Sequence, residues 1–168
     1  MNHHIEKAIK VNVSAEAIWQ VMADYSSVEK YATTIDSSPI IGEISSGLGA
    51  KRKCTFNDGS SLVEEIVEFE QGKRFKMQLS EFSYPLENMD AEMRVNAIDA
   101  NSCEITMSSN FVVKGSVFGW LMGFMLMRPM MKGVFKKLMT GLAYYTVTGE
   151  AIGKKLPANN ELAKIVVL

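Results

Sequence analysis

The sequence predicts an α+β fold: a seven-stranded antiparallel curved sheet wrapped around one long C-terminal helix, with two short helices after the first strand. Three observations carry this. Val112 to Thr148 is apolar and helical in period, and no Asp or Glu lies between Glu104 and Glu150. From Ser37 to Val113 the texture is instead short alternating segments separated by turn residues, the mark of strands. Those strands follow one another with no helical segment between them, so they form a meander rather than parallel crossover units.

His4 to Val13 alternates through Ile5, Ile9, Val11 and Val13 and reads as the first strand. Ser14 is a good helix N-cap, with Val13 and Ile18 at the spacing of a hydrophobic staple. Ala15 to Ala23 then places Ala15, Ile18, Trp19 and Met22 on one helical face. Asp24 opens a second short helical piece, Tyr25 to Thr33, and together the two plug the open end of a sheet. Pro39 to Ser45 is the next strand, and Ser46-Gly47-Leu48-Gly49 a turn. Ala50 to Phe56 and Ser61 to Phe69 form a hairpin about Asn57-Asp58-Gly59, residue types that supply the positive φ such turns need. Gln71-Gly72-Lys73 leads to Arg74 to Phe82, and Tyr84-Pro85-Leu86 breaks that strand. Met89 to Ile98 and Cys103 to Val113 form the last hairpin.

In the long helix Pro129 suits a first turn and disfavours a helical Arg128, so a kink or fresh start is expected there. Beyond it Met131, Val134, Phe135, Leu138, Met139 and Leu142 recur at helical spacing, with Arg128, Lys132 and Lys136 on the opposite side. Gly149 and Gly153 end the helix. Leu156 to Leu168 is a tail whose apolar end, Ile165 to Leu168, is expected to dock. The division is thus one domain over 1–150 and a tail over 151–168.

Apolar residues make up 47% of the chain and charged residues 22%, ordinary for a soluble globular protein. The 13 uncharged residues from Gly115 to Met127 are bounded by Lys114 and Arg128 and fall short of the roughly 20 that a membrane span needs. Met1 to Lys10 lacks the apolar core of a secretory signal, which favours a cytoplasmic setting with reduced thiols. Cys54 and Cys103 read as buried small hydrophobes.

The order of these elements, and the runs Val13-Ser14-Ala15-Glu16-Ala17-Ile18-Trp19, Ala23-Asp24-Tyr25-Ser26-Ser27-Val28-Glu29-Lys30-Tyr31, Gly47-Leu48-Gly49-Ala50-Lys51-Arg52-Lys53-Cys54-Thr55-Phe56 and Val63-Glu64-Glu65-Ile66 after Gly59, resemble the START-like (SRPBCC) superfamily in its polyketide cyclase/dehydrase and lipid-transport branch. The resemblance spans most of Glu6 to Ala143. It implies a helix-grip fold with an apolar cavity between sheet and last helix. Members bind lipids, sterols, hormones, quinones or polyketides, and only some are enzymes. Phe118 to Met131 and the tail after Gly153 fit the family pattern less well.

No catalytic constellation is evident. The only histidines, His3 and His4, lie near the chain start and are expected to fray. That removes a positioned base for Ser or Cys nucleophiles and leaves no metal-ligand spacing. Gly47-Leu48-Gly49 lies between strands, so it is no phosphate loop. No basic stripe with interleaved aromatics points to nucleic acid. No cofactor is implied.

The remaining candidates line the cavity: Trp19, Tyr25 and Tyr31 from the plug, Arg52, Phe56, Glu65, Met77, Met93, Met107 and Phe111 from the sheet, and Met131 and Phe135 from the helix. Alternation puts Val63, Glu65, Val67 and Phe69 on one face. If that face is concave, Glu65 is buried and needs a partner, for which Arg52 is best placed. Otherwise Glu64 or Glu65 simply faces water. Tyr25 and Tyr31 gate the opening or anchor the plug.

Methionine is unbranched and polarizable and fits varied partners, so the expected function is to carry or sense an apolar small molecule such as a lipid, quinone or isoprenoid, in a monomer or homodimer. The alternatives are a polyketide cyclase/dehydratase-like enzyme, or a protein that contacts membranes or partners through residues 118–131.

Overall fold

In a computed structural model describing residues 2–83 and 85–167, with Ser116 described by its backbone alone, the alternating segments become strands of one antiparallel sheet. The long strands are β1 (His3–Val11), β4 (Lys51–Phe56), β5 (Ser61–Glu70), β6 (Arg74–Ser80), β7 (Leu86–Ala97) and β8 (Cys103–Val113). Short pieces β2 (Ile35–Ser37), β3 (Ile40–Ile41) and β9 (Val166–Val167) bring the count among the described residues to nine. The order is β2-β4-β5-β6-β7-β8-β1-β9, with β3 pairing β4 off that path. The first and last strands do not meet, so the sheet curves without closing. Its concave face holds α3 (Arg128–Thr148), which packs against β1, β8 and α1 (Ala15–Ala23). This is the helix-grip architecture.

Local chemistry accounts for the elements and for the departures from expectation. Ser14 caps α1 by accepting the Ala17 N–H at 3.3 Å, and α1 buries Ile18, Trp19 and Met22. The helix expected over 25–33 shrinks to a single 3₁₀ turn, Val28–Lys30. Serine side chains divert the main chain there. Ser26 N–H and hydroxyl both donate to the Asp24 carboxylate, and the Ser27 hydroxyl donates to the Asp24 carbonyl, local bonds that compete with helix. The strand expected over 39–45 is reduced to Ile40–Ile41 beside β4, since Pro39 brings no N–H to a ladder and Gly42, at φ 86°, leaves the extended conformation straight after Ile41. Of the expected break at Tyr84-Pro85-Leu86, Tyr84 lies outside the described residues; β7 begins at Leu86.

The helix does not restart at Pro129. Arg128 keeps helical angles (φ −58°, ψ −53°), and its N–H reaches back to the Gly123 carbonyl. The disturbance is a π-helical turn, Gly123–Met127, between α2 (Ser116–Met122) and α3. A wider turn placed just ahead of a proline makes room for the ring and for its missing donor. At the far end Gly149 (φ 70°) takes the left-handed cap conformation and donates to the Tyr145 carbonyl.

The tail folds back onto the sheet. After a short α4 (Asn159–Leu162), Val166 and Val167 pair with Val11 and Lys10 of β1. Ile165 and Val166 are buried, and Asn12 N–H donates to the Ile165 carbonyl at 2.7 Å. Leu168, the last residue of the docking stretch foreseen, lies outside the described residues.

The grip is tightest where α3 crosses the plug. A Cβ on Gly141 would collide with the Tyr31 carbonyl oxygen and approach Ile152 Cδ1 to 2.6 Å, whereas Gly133 on the same helix has nothing within 4 Å. Gly141→Ala should therefore cost about 1–3 kcal/mol by overpacking. Gly133→Ala should gain about 0.5–1 kcal/mol through helix propensity. Denaturant unfolding of the two variants checks both signs.

Candidate functional site

The concave wall is apolar across β6, β7 and β8. Register sets Met77 against Ala91, Leu79 against Met89, Met93 against Met107 and Met89 against Phe111. Met77, Met93 and Phe111 are buried, while Met107 and Met131 are partly buried against the core, as is Phe56 at the end of β4. Phe135 of α3 is buried in the same core cluster.

Into this interior β4 projects one cation. Arg52 lies on the same side of its strand as Cys54 and is only 4% exposed. Its Nε and Nη2 both approach Glu64 Oε2 at 2.6 Å. Nη1 donates to the Tyr25 carbonyl at 3.0 Å, Cζ sits 4.0 Å over the Tyr25 ring, and Nη2 faces the Met77 sulfur at 3.9 Å. The Cys54 thiol also points to Glu64 Oε2, at 3.6 Å. A buried guanidinium needs such company, because an uncompensated charge in low dielectric is costly.

The charges around this pair set the protonation of its neighbours. Burial opposes the guanidinium, but Glu64 more than restores it, so Arg52 stays charged. Burial and then Glu64 push the Tyr25 hydroxyl well above the usual tyrosine range. Burial raises Tyr31 to about 12. Burial and Glu64 likewise raise Cys54 far above an ordinary thiol, and burial raises Cys103 to about 11. Tyr25, Tyr31 and Cys54 are thus neutral hydrogen-bond donors at physiological pH. Beside this pair and in the plug, the buried Tyr25 Oη and Trp19 Nε1 have no hydrogen-bond partner among the described residues. Trp19 itself packs on Phe69 and Phe75, with ring centroids 5.4 Å and 6.3 Å away.

The partner of Arg52 differs from expectation. Register opposes Arg52 to Glu64 and Lys51 to Glu65, so Glu65 points outward and meets Lys51 at 3.1 Å with both side chains well exposed. The face proposed for β5 does not hold as one face, because pairing with β4 turns Glu64 inward and the strand is bulged between Ile66 and Glu68. Before the bulge the inward residues are Leu62, Glu64 and Ile66; Val67 is exposed, and Phe69 rejoins the core. A bulge inserts one residue and reverses the alternation beyond it. Counting equal steps back from a turn centred on Asp58 places Arg52 opposite Glu64, so the signal was present in the hairpin.

His3 is the second departure. It is not frayed but paired in β1 opposite Phe111 and 4% exposed. Its ring stacks between Phe111 (5.1 Å) and Trp120 (5.9 Å). Its Nε2 has no hydrogen-bond partner among the described residues, and burial, then Arg128, hold its pKa below the usual histidine value.

The space expected between sheet and helix is filled by the chain's own side chains, with Tyr25, Phe75, Met77, Phe111, Met139 and Leu142 all at 1% exposure or less. Two hollows lie elsewhere. One of about 470 Å³ opens beside β1, Lys136 and β9, and one of about 290 Å³ lies between the end of α3 and the tail. No group of three or more His, Cys, Asp or Glu among the described residues is placed to hold a metal ion.

A profile for the family described as polyketide cyclase / dehydrase and lipid transport matches residues 2–146. No curated protein matches the sequence. Solved structures share the fold at low identity. The protein XoxI from Bacillus cereus aligns with TM-score 0.70 at 17% identity, covering 86% of this chain and 96% of that one. Truncated norcoclaurine synthase from Thalictrum flavum aligns with TM-score 0.68 at 17% identity, over 88% and 95%. An aromatase/cyclase from Streptomyces sp. R1128 aligns with TM-score 0.65 at 17% identity, over 84% and 88%.

Breaking the buried pair from one side should be severe. Arg52→Met alone should cost about 3–5 kcal/mol, while Arg52→Met with Glu64→Leu should recover most of that loss. Lys51→Ala should change stability by less than about 1 kcal/mol, as exposed pairs do. Equilibrium unfolding of the set reads all three. Both thiols should also stay unreactive towards an aromatic disulfide reagent at about pH 8 until the chain is unfolded, since thiolate is the attacking species.

Proposed function

The chain belongs to the polyketide cyclase/dehydrase and lipid transport family, within the START-like superfamily, and we propose that it binds one apolar small molecule between the sheet and α3, as a carrier or sensor. The guest is of the lipid, quinone or isoprenoid type, with an oxygen-bearing end group. The observation that carries this reading is the buried Arg52–Glu64 pair with the unpartnered Tyr25 hydroxyl beside it. Apolar residues of similar volume serve stability as well as a buried ion pair does. Polar groups kept inside an apolar wall are what orients a ligand. Neutral tyrosine and indole donors suit a carbonyl or hydroxyl oxygen, and Arg52 adds charge assistance.

Entry has to displace side chains, because the grip is filled. Methionine suits this role. Met77, Met93, Met107, Met131 and Met139 carry flexible thioethers that repack at small cost. The family and fold support a ligand-binding interior; the lipid, quinone or isoprenoid assignment rests on this lining.

A second reading places an aromatic polyketide-like precursor in the same grip and adds chemistry, in the manner of a cyclase or dehydratase. One observation favours it: Glu64 contacts both a guanidinium and a thiol inside the grip. Loss of turnover of an aromatic polyketide-like precursor in Glu64→Gln, with its binding retained, would select that reading.

Native mass spectrometry of protein purified gently from its own host tests the proposal. A discrete apolar mass should co-purify and be released on unfolding. Tyr25→Phe should weaken its retention about 5- to 10-fold, the loss of one hydrogen bond. A clean unliganded mass, with no displacement of an apolar fluorescent probe by host lipid extract, would refute binding.

A further inference from the structure

We propose that residues 117–130 form an in-plane docking face for an anionic lipid bilayer. The face stands apart from the grip. Val117, Phe118, Leu121, Phe124, Met125 and Leu126 are large apolar residues exposed by 44% to 81%, and Met130 follows at 56%. Positions 117, 118, 121, 124 and 125 recur with helical spacing and share one side of the helix. Contiguous apolar surface of this kind is uncommon on a soluble monomer and marks an interaction site.

The opposite side explains why these residues are not simply a lid over the core. It carries Gly119 and Gly123, both buried. A Cβ on Gly123 would come within 2.5 Å of His3 Nε2, and one on Gly119 would collide with the Lys114 carbonyl oxygen. The helix therefore lies against β1 and β8 through its glycines, with Trp120 stacked on His3. Its bulky residues are left outward.

Charge decides the occupant. From residue 105 to residue 149 the chain has no acid but has Lys114, Arg128, Lys132, Lys136 and Lys137. Arg128 stands beside the apolar face, its Cζ 5.2 Å from the Phe124 ring centroid. Apolar residues flanked by cations on a helix are the pattern of an interfacial helix at anionic headgroups. No helix among the described residues is long and apolar enough to cross a bilayer, so the helix lies in the interface. A second copy is a poorer occupant, because a two-fold dimer would set the same cations against themselves.

Flotation of the full chain with phosphatidylcholine vesicles, with and without about 30% phosphatidylglycerol, tests this. The protein should float with the anionic vesicles only. Binding should fall about tenfold or more between about 0.05 M and 0.5 M salt. Phe118→Gln with Met125→Gln should cut binding about tenfold with the unfolding midpoint unchanged, since both positions are exposed. Lys132→Glu with Lys136→Glu should abolish the preference for anionic lipid. Failure to float with anionic vesicles, equal flotation of the Phe118/Met125 variant, or a micromolar dimer abolished by those substitutions would overturn the proposal. The readout is vesicle association, so failure here leaves the occupant of the grip untouched, and the reverse holds.

Discussion

Everything inside the grip is arranged around one expensive object, the buried Arg52–Glu64 pair. Removing two charges from water costs several kcal/mol each, and attraction repays this only with good geometry and further bonds. The structure supplies both, with two guanidinium nitrogens 2.6 Å from one carboxylate oxygen and the Tyr25 carbonyl accepting a third. The pairing requires Arg52 opposite Glu64, which agrees with the β4–β5 register. It also ties the loop after α1 to the sheet, because Arg52 holds both the carbonyl and the ring of Tyr25. Plug and wall are thereby joined through one side chain. Tyr31 lies at the other limit of the plug, where Gly141 lets α3 come close.

Around that fixed point the interior is soft. The thioethers of Met77 and Met93 come from the wall and that of Met139 from the helix, all buried. A rigid polar anchor within adaptable apolar packing is the combination a selective receptor for apolar molecules needs: orientation comes from few groups and shape from many. The outer helix follows a different rule. There glycine permits close approach and pushes the bulky side chains outward, so one continuous helical run serves the core from Phe135 onward and presents apolar surface before Met131.

The sequence carried the fold well because two signals were strong. Strict alternation placed Met77, Met93, Met107 and Phe111 on one face, within stretches of the β6–β7 and β7–β8 pairings where the register does not shift. The 3.6-residue period placed Phe135, Leu138, Met139 and Leu142 inside. Where the structure departs from expectation, register and tertiary contacts outweigh the local pattern. The β4–β5 register turns Glu64 inward and Glu65 outward, and the bulge at Val67 then reverses the phase so that Phe69 returns to the core. Of the kink or fresh start expected at Pro129, the fresh start does not occur, and a widened turn lies just ahead of the proline instead. His3 sits near the chain start, where fraying is the default, yet pairing across β8 and stacking by Trp120 hold it. The partner of a strand residue depends on register, and register depends on counting from the turn.

The central claim is that a guest enters between sheet and α3 by moving methionines around a fixed polar anchor. Methyl-labelled methionine spectra during titration with a short-chain quinone in detergent-free buffer test it most directly. Of the twelve methionines, Met77, Met93, Met107 and Met139 should shift, while the exposed Met125 and Met130 stay in place. Shifts confined to Met125 and Met130, with the interior methyls unmoved at saturation, would contradict the account.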